Sequence, residues 1–290
     1  LMATTLASCS SGNNNTTSSA SSASSEKAVT LTVSAAASLT DVLKDVENTY
    51  KKTHTNVSFT NTFGASGTLQ QQIQNGADAD IFFSAAESNM DTLDKAGLLV
   101  SDTRKDIVGN TIEFIIPKDQ PPITSLSELT SSRFKQIAIG DPASVPAGKY
   151  AKQLLTEQKI YDSISSKLVQ GTDVRSVLNY VETGNAEGGF VFATDAKSSN
   201  KVKSGFSIPA SWQPKISYPA AVVKASKSPD ASKSFLSYLS ASDAQKIFEK
   251  YGFTKQNNFF NTDRFHTILS ESCHGHLATA AFLLYPSSSI

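Results

Sequence analysis

The chain has 290 residues, 39% of them hydrophobic, with 26 basic and 26 acidic side chains and a formal net charge of +0. That length holds one large domain or two of ordinary size, and the charge balance offers no basic excess for nucleic acid or anionic lipid. No apolar run reaches the roughly 18 residues of a transmembrane helix, and the two cysteines, Cys9 and Cys273, form neither a disulfide framework nor a metal-ligand spacing.

Taken in order, the chain opens "LMATTLASCSSGNN", in which Leu6-Ala7-Ser8-Cys9 resembles a bacterial lipobox, whose cysteine becomes the lipidated first residue. Residues 10–27 are nearly all Ser, Asn, Thr, Ala and Gly. They carry too little apolar surface to offset the entropy of ordering. Residues 1–28 therefore read as a truncated signal segment and a flexible tether, with Cys9 as the expected lipidation site.

From Val29 onward, strand and helix patterns alternate. "VTLTVSA" predicts a strand, and Leu39, Val42, Leu43 and Val46 repeat at a helical period. "NVSFTNTF" predicts a strand, "GTLQQQIQNG" a helix closed by Gly76, "ADIFFSAA" a short buried strand and "MDTLDKAGLL" a helix. "TIEFIIPKD" and "QIAIGDP" predict strands on either side of a short helix in "SLSELTSSRF". Pro146 stands near the first turn of a helix in "PAGKYAKQLLTEQKI", where its missing N–H costs nothing. "KLVQGT" predicts a strand, "DVRSVLNYVETGN" a helix, "EGGFVFATDA" and "ISYPAAVVK" strands, and "DASKSFLSYLS" and "SDAQKIFEKYG" the last two helices. Alternation of this kind predicts an α/β architecture with mostly parallel sheets, in which ligands collect beyond the carboxyl ends of the strands.

Four strand-to-helix turns share a character. They hold Ser38 in "AAASLTD", Ser66 in "TFGASGTLQ", Ala147 in "DPASVPAGKY" and Val174 in "GTDVRSV". Each offers N–H groups that a helix leaves unpaired in its first turn, a setting suited to anions. Charge-assisted hydrogen bonds contribute roughly 1.5–3 kcal/mol each, so several converging donors could hold an anion without a cation. The plainer reading is that these residues begin helices. Ser38-x-x-Asp41 resembles a capping box, with Asp in place of Glu or Gln, and spacing alone does not bring the four turns together.

The segments "VSAAASLTDVLKDV", "FGASGTLQQQIQNGADADIFFSA", "GDPASVPAGKYAKQLL", "TDVRSVLNYVETGNAEGGFVFATDA" and "YPAAVV…IFEKYGF" follow one another over residues 29–254. In that order and spacing the chain resembles the molybdate-binding proteins of bacterial ABC uptake systems. The resemblance implies a two-lobed type II periplasmic-binding-protein fold, each lobe a mostly parallel sheet flanked by helices, with an oxyanion in the interlobe cleft. It implies lobe 1 over residues 29–110 plus 218–254, lobe 2 over 111–217, and an atypical tail over 255–290. Its ligands map onto Ser38 and Ser66, through hydroxyl and backbone N–H, and onto backbone donors at Ala147 and Val174. The family's tyrosine position is Phe192, where the hydroxyl is absent. The implied protein is an exported, membrane-anchored or periplasmic monomer that passes its anion to a permease and an ATPase subunit, with no cofactor of its own.

Molybdate and tungstate are unprotonated dianions near neutral pH, so a donor-only cage satisfies them. Phosphate carries a proton there and needs an acceptor; sulfate does not, and size alone would exclude it. Asp141, Asp173 and Asp195 lie near the relevant turns and are expected to cap turns and helices. Arg175 is expected to pack or pair with an acid rather than to touch the anion. An enzyme would need a nucleophile and a base, and no GxSxG elbow, P-loop or dinucleotide fingerprint occurs. His54 reads as a surface residue. In the tail, Cys273, His274 and His276 make an incomplete metal-ligand set, and that segment reads as a frameshifted or read-through end. The alternatives are a binder of another tetrahedral oxyanion such as sulfate or phosphate, a cleft enzyme acting on an anionic small molecule, and an adhesive or structural surface lipoprotein.

Overall fold

A computed structural model describes residues 27–256 of the protein. Cys9 and the tail group Cys273, His274 and His276 lie outside the described residues.

The strands are β1 (Val29–Ala36), β2 (Val57–Gly64), β3 (Ile81–Phe83), β4 (Lys105–Asn110), β5 (Ile112–Pro117), β6 (Ile137–Gly140), β7 (Leu168–Gly171), β8 (Gly188–Phe192), β9 (Val202–Phe206), β10 (Ile216–Val222) and β11 (Thr254–Lys255). The helices are α1 (Thr40–Tyr50), α2 (Ser66–Gln74), α3 (Glu87–Lys95), α4 (Pro146–Glu157), α5 (Tyr161–Ile164), α6 (Val174–Glu182), α7 (Ala193–Lys197), α8 (Pro229–Leu239) and α9 (Ser242–Tyr251). They form two sheets flanked by helices, one of six strands in the order β11-β4-β10-β3-β1-β2 and one of five in the order β7-β6-β8-β5-β9.

The local reasons are plain in the sequence. On β1, Leu31, Val33 and Ala35 alternate onto one buried face. On α6, Val174, Val177, Leu178 and Val181 recur at i, i+3, i+4 and i+7 and are all buried. Each fully buried Leu or Val contributes about 1.5–3 kcal/mol, which is what holds the helices on the sheets.

The sheets are mixed rather than mostly parallel. Among the described strands, β1 pairs in parallel with β2 and β3, and β6 with β7 and β8. The remaining five pairings are antiparallel. The cause is the path of the chain. β4 leads out of the first sheet, and β5 enters the second after a single residue, Thr111. The chain returns from β9 through a 3-10 turn at Ala210–Trp212 and re-enters the first sheet as β10. Strands that arrive from the opposite sheet run against the local βαβ units. The two crossings are tied together by Gln213, whose Oε1 accepts from the Ile112 N–H at 2.9 Å and whose Nε2 donates to the Ile112 carbonyl at 2.8 Å.

Candidate functional site

The parallel strands of both sheets end at the same cleft. Ala36, Ala37 and Ser38 follow β1, Gly64 to Ser66 follow β2, and Ala85 follows β3. From the second sheet, Val145 to Ala147 follow β6, Val174 follows β7 and Phe192 ends β8. These residues line one pocket with about 190 Å³ of space between atoms. Its cavity volume is only about 10 Å³, the scale of a single water-sized group, so it suits a small ligand rather than a drug-sized one. The five sequence-predicted positions, Ser38, Ser66, Ala147, Val174 and Phe192, are all brought together in it.

Each position has a local cause. Ser66 and Val174 are the first residues of α2 and α6, and Ala147 is second in α4 behind Pro146. Their N–H groups have no acceptor within their own helices. Ser66 is fully buried, and its Oγ accepts from the Ala85 N–H at 3.0 Å, which leaves its own proton free to donate. Gly148 lets α4 approach β6, because a Cβ there would meet the Gly140 carbonyl at 1.9 Å.

Ser38 departs from the expected cap. It lies within a 3-10 turn, Ala37–Leu39, ahead of α1, and no side-chain cap bond forms at either element. Its hydroxyl instead lies 2.9 Å from that of Tyr218 on β10. Phe192 is 2% exposed, with its ring edge-on to Tyr218 and Tyr150.

No lining residue is charged. The nearby acids serve the scaffold. Asp173 caps α6 in a reciprocal pair with Ser176. Asp141 accepts from the Ala143 N–H and the Ser144 hydroxyl, both at 3.0 Å. Arg175 pairs with two acids, its Nη2 donating to Asp41 at 2.7 Å and its Nε lying 2.8 Å from Asp195 Oδ1 without hydrogen-bond alignment. Burial pushes the Asp195 carboxyl up to about 7; the Arg175 guanidinium opposes this, and Asp41 and Asp173 push the same way as burial.

The lobes meet around the pocket. The Gly67 N–H donates to the Ser144 carbonyl at 2.9 Å, Lys149 Nζ donates to Ser88 Oγ at 3.1 Å, and Arg175 reaches Asp41. This is a closed arrangement. Sequence reasoning missed Ala85, which holds Ser66, and the Tyr218–Asn110 pair behind Ser38. "YPAAVV" marked Tyr218 as part of a strand, but nothing in the sequence placed its hydroxyl beside β1.

Two sheets joined by two crossings, closed over a small uncharged pocket of helix N-termini, define a two-lobed solute-binding protein. The chain belongs to the family of bacterial extracellular solute-binding proteins, whose model matches residues 31–254. It is 44% identical over 80% of its length to a Bacillus subtilis (strain 168) protein, YvgL, provisionally named an ABC transporter substrate-binding lipoprotein, of which the match covers 88%. It is 37% identical over 77% of its length to the molybdate-binding protein ModA of Haemophilus influenzae, with 89% of that protein covered. Among solved structures, the substrate-binding domain of a provisionally assigned molybdenum ABC transporter from Clostridium difficile aligns with 43% identity and a TM-score of 0.62. That alignment covers 79% of this chain and 99% of the other. These relatives are solute-binding proteins rather than enzymes.

Proposed function

We propose that the protein captures molybdate or tungstate for an ABC importer, through hydroxyl and backbone N–H donors at Ser38, Ser66, Ala147 and Val174. One observation carries the reading: helix N-termini from both lobes, with the hydroxyls of Ser38 and Ser66 from the first, converge on a pocket with no charged side chain in its lining. Donors of this kind are worth roughly 1.5–3 kcal/mol each toward a charged acceptor, and their exclusion from water strengthens them. A fully deprotonated tetrahedral dianion uses them all. A protonated phosphate brings a donor of its own, and no carboxylate lines the pocket to receive it. The anion needs no resident cofactor. Closure around it would present both lobes to a permease, and lipidation at Cys9 would hold the protein at the membrane face.

Titration calorimetry with molybdate, tungstate, sulfate and phosphate tests the reading. Strong heats are expected from the first two and weak or none from the others. Silence toward both metal oxyanions would end it. Cys9→Ala should release the exported protein from the membrane fraction; continued attachment would remove Cys9 as the anchor.

A further inference from the structure

We propose that Tyr218 is a positioning residue for anion binding: held by Asn110, its hydroxyl donates to Ser38 and so turns the Ser38 proton into the pocket. The inference rests on the oxyanion reading of the pocket.

The direction of the chain of bonds follows from counting protons. Asn110 ends β4 at the first crossing between the sheets. Its Oδ1 accepts from the Thr111 N–H at 2.9 Å, which fixes which end of the amide is oxygen. Its Nδ2 then faces two hydroxyls, Thr194 Oγ1 at 2.9 Å and Tyr218 at 3.2 Å, and an amide nitrogen can only donate. The Tyr218 oxygen is therefore an acceptor from Asn110, and its single proton needs another partner. Ser38 Oγ lies 2.9 Å away. Tyr218 is fully buried, Ser38 is 3% exposed and Asn110 6%, so solvent does not compete. The reverse assignment, with Ser38 donating, would strand the buried phenol proton, an unfavourable arrangement. With Tyr218 donating, Ser38 has its acceptor role filled from behind, and its proton is left for the pocket that it lines. Burial pushes the Tyr218 phenol well up, so it keeps its proton through the neutral range. Linked donors of this kind polarise one another, which makes Ser38 a better donor to an anion.

The device also accounts for a residue that lines no part of the pocket yet sits where three segments meet: the strand that leaves the first lobe, the returning strand β10 and the start of α7. A serine free to rotate would be a mixed donor and acceptor. Ser38 is a donor held in one direction.

The test compares wild type, Y218F, S38A and the double variant by calorimetry with sodium molybdate, alongside their ligand-free melting temperatures. Y218F should weaken binding about three- to tenfold, the size of one hydrogen bond. S38A should weaken it at least as much, and adding Y218F to S38A should change affinity less than about twofold, because contacting residues couple. In an S66A background Y218F should keep its full effect. Wild-type silence toward molybdate and tungstate overturns the functional reading and the role of Tyr218 with it. Wild-type binding with an unchanged Y218F overturns the positioning role alone. An equal loss with and without Ser38 does so too, since packing would then be the cause. Should Y218F fail to fold, 3-fluorotyrosine placed at 218 keeps the hydroxyl and makes it a stronger donor. It should tighten molybdate binding in wild type and leave S38A unchanged; unchanged or weaker binding in wild type overturns the proposal.

Discussion

Phe192 closes β8 with its ring edge-on to Tyr150 and Tyr218, centroids 6.5 and 5.6 Å away. It forms an apolar wall of the pocket, at the position where the family resemblance carries a tyrosine. Restoring the hydroxyl adds a donor from the second lobe, whose other donors are the backbone groups of Ala147 and Val174. Phe192→Tyr should therefore tighten molybdate binding about 10- to 150-fold, the roughly 1.5–3 kcal/mol of one hydrogen bond to a charged group. Calorimetry reads it directly; an unchanged affinity would mean that the tyrosine hydroxyl finds no line to the anion. Ser38 teaches the complementary lesson. Its place at the pocket was expected from the family resemblance rather than from "AAASLTD" alone, and its hydroxyl partner lies 180 positions away. No local pattern carries such a contact, and the capping-box reading failed because Ser38 lies inside a 3-10 turn and Leu39, not Ser38, stands at the N-cap of α1.

At the scale of elements, the long periodic segments were legible because burial and period agree. α1 buries Val42, Leu43, Val46 and Tyr50 on one face, and α6 its four apolar residues. β4 was not legible: "KDIVGN" has two apolar residues between charged and small ones, and it becomes a strand through β10 and β11 on either side. β9, "VKSGF", is likewise made by its pairing with β5. Tertiary context overrides propensity in both. The α1–β2 contact carries a second surprise. Glu47 on α1 is 5% exposed, and its Oε2 accepts from Asn61 Nδ2 at 3.0 Å. Its Oε1 and Asn61 Oδ1 are buried acceptors with no donor. Burial accordingly pushes the carboxyl from 4.5 up to about 7, against the Asn61 bond and the Lys51 charge. The folded state binds the proton more tightly than the unfolded chain, so this group's stabilisation is full below about 4.5 and fades as pH rises toward 7. Glu47→Gln should raise the melting temperature by roughly 2–6 °C at pH 8, the scale of relieving one buried unsatisfied group. It should change little at pH 4. An equal shift at both pH values would assign the effect to packing rather than to the proton.

For the whole molecule, the proposed site is shared between the lobes, Ser38 and Ser66 facing Ala147 and Val174 across the closed cleft. If binding proceeds by hinge closure, it would use the small contacts at the seam. Gly67 is one of them. It is the second residue of α2, its N–H donates to the Ser144 carbonyl of the other lobe at 2.9 Å, and a Cβ at this position would lie 2.7 Å from that oxygen and 2.9 Å from the Ser144 Cα. Both are backbone atoms, so no side-chain rotation relieves the clash. Within α2 itself an alanine is welcome, by about 0.5–1 kcal/mol relative to glycine. The two effects fall on different states. Gly67→Ala should leave the ligand-free protein as stable as wild type or slightly more so. The closed state should lose about 1–3 kcal/mol from overpacking, which corresponds to molybdate binding about 5- to 150-fold weaker. The same variant should show a smaller rise in melting temperature on adding molybdate, because ligand stabilisation follows affinity. Unaltered affinity would mean that the Gly67–Ser144 contact is not part of the liganded state; a matching drop in ligand-free stability would place the clash in the resting protein instead.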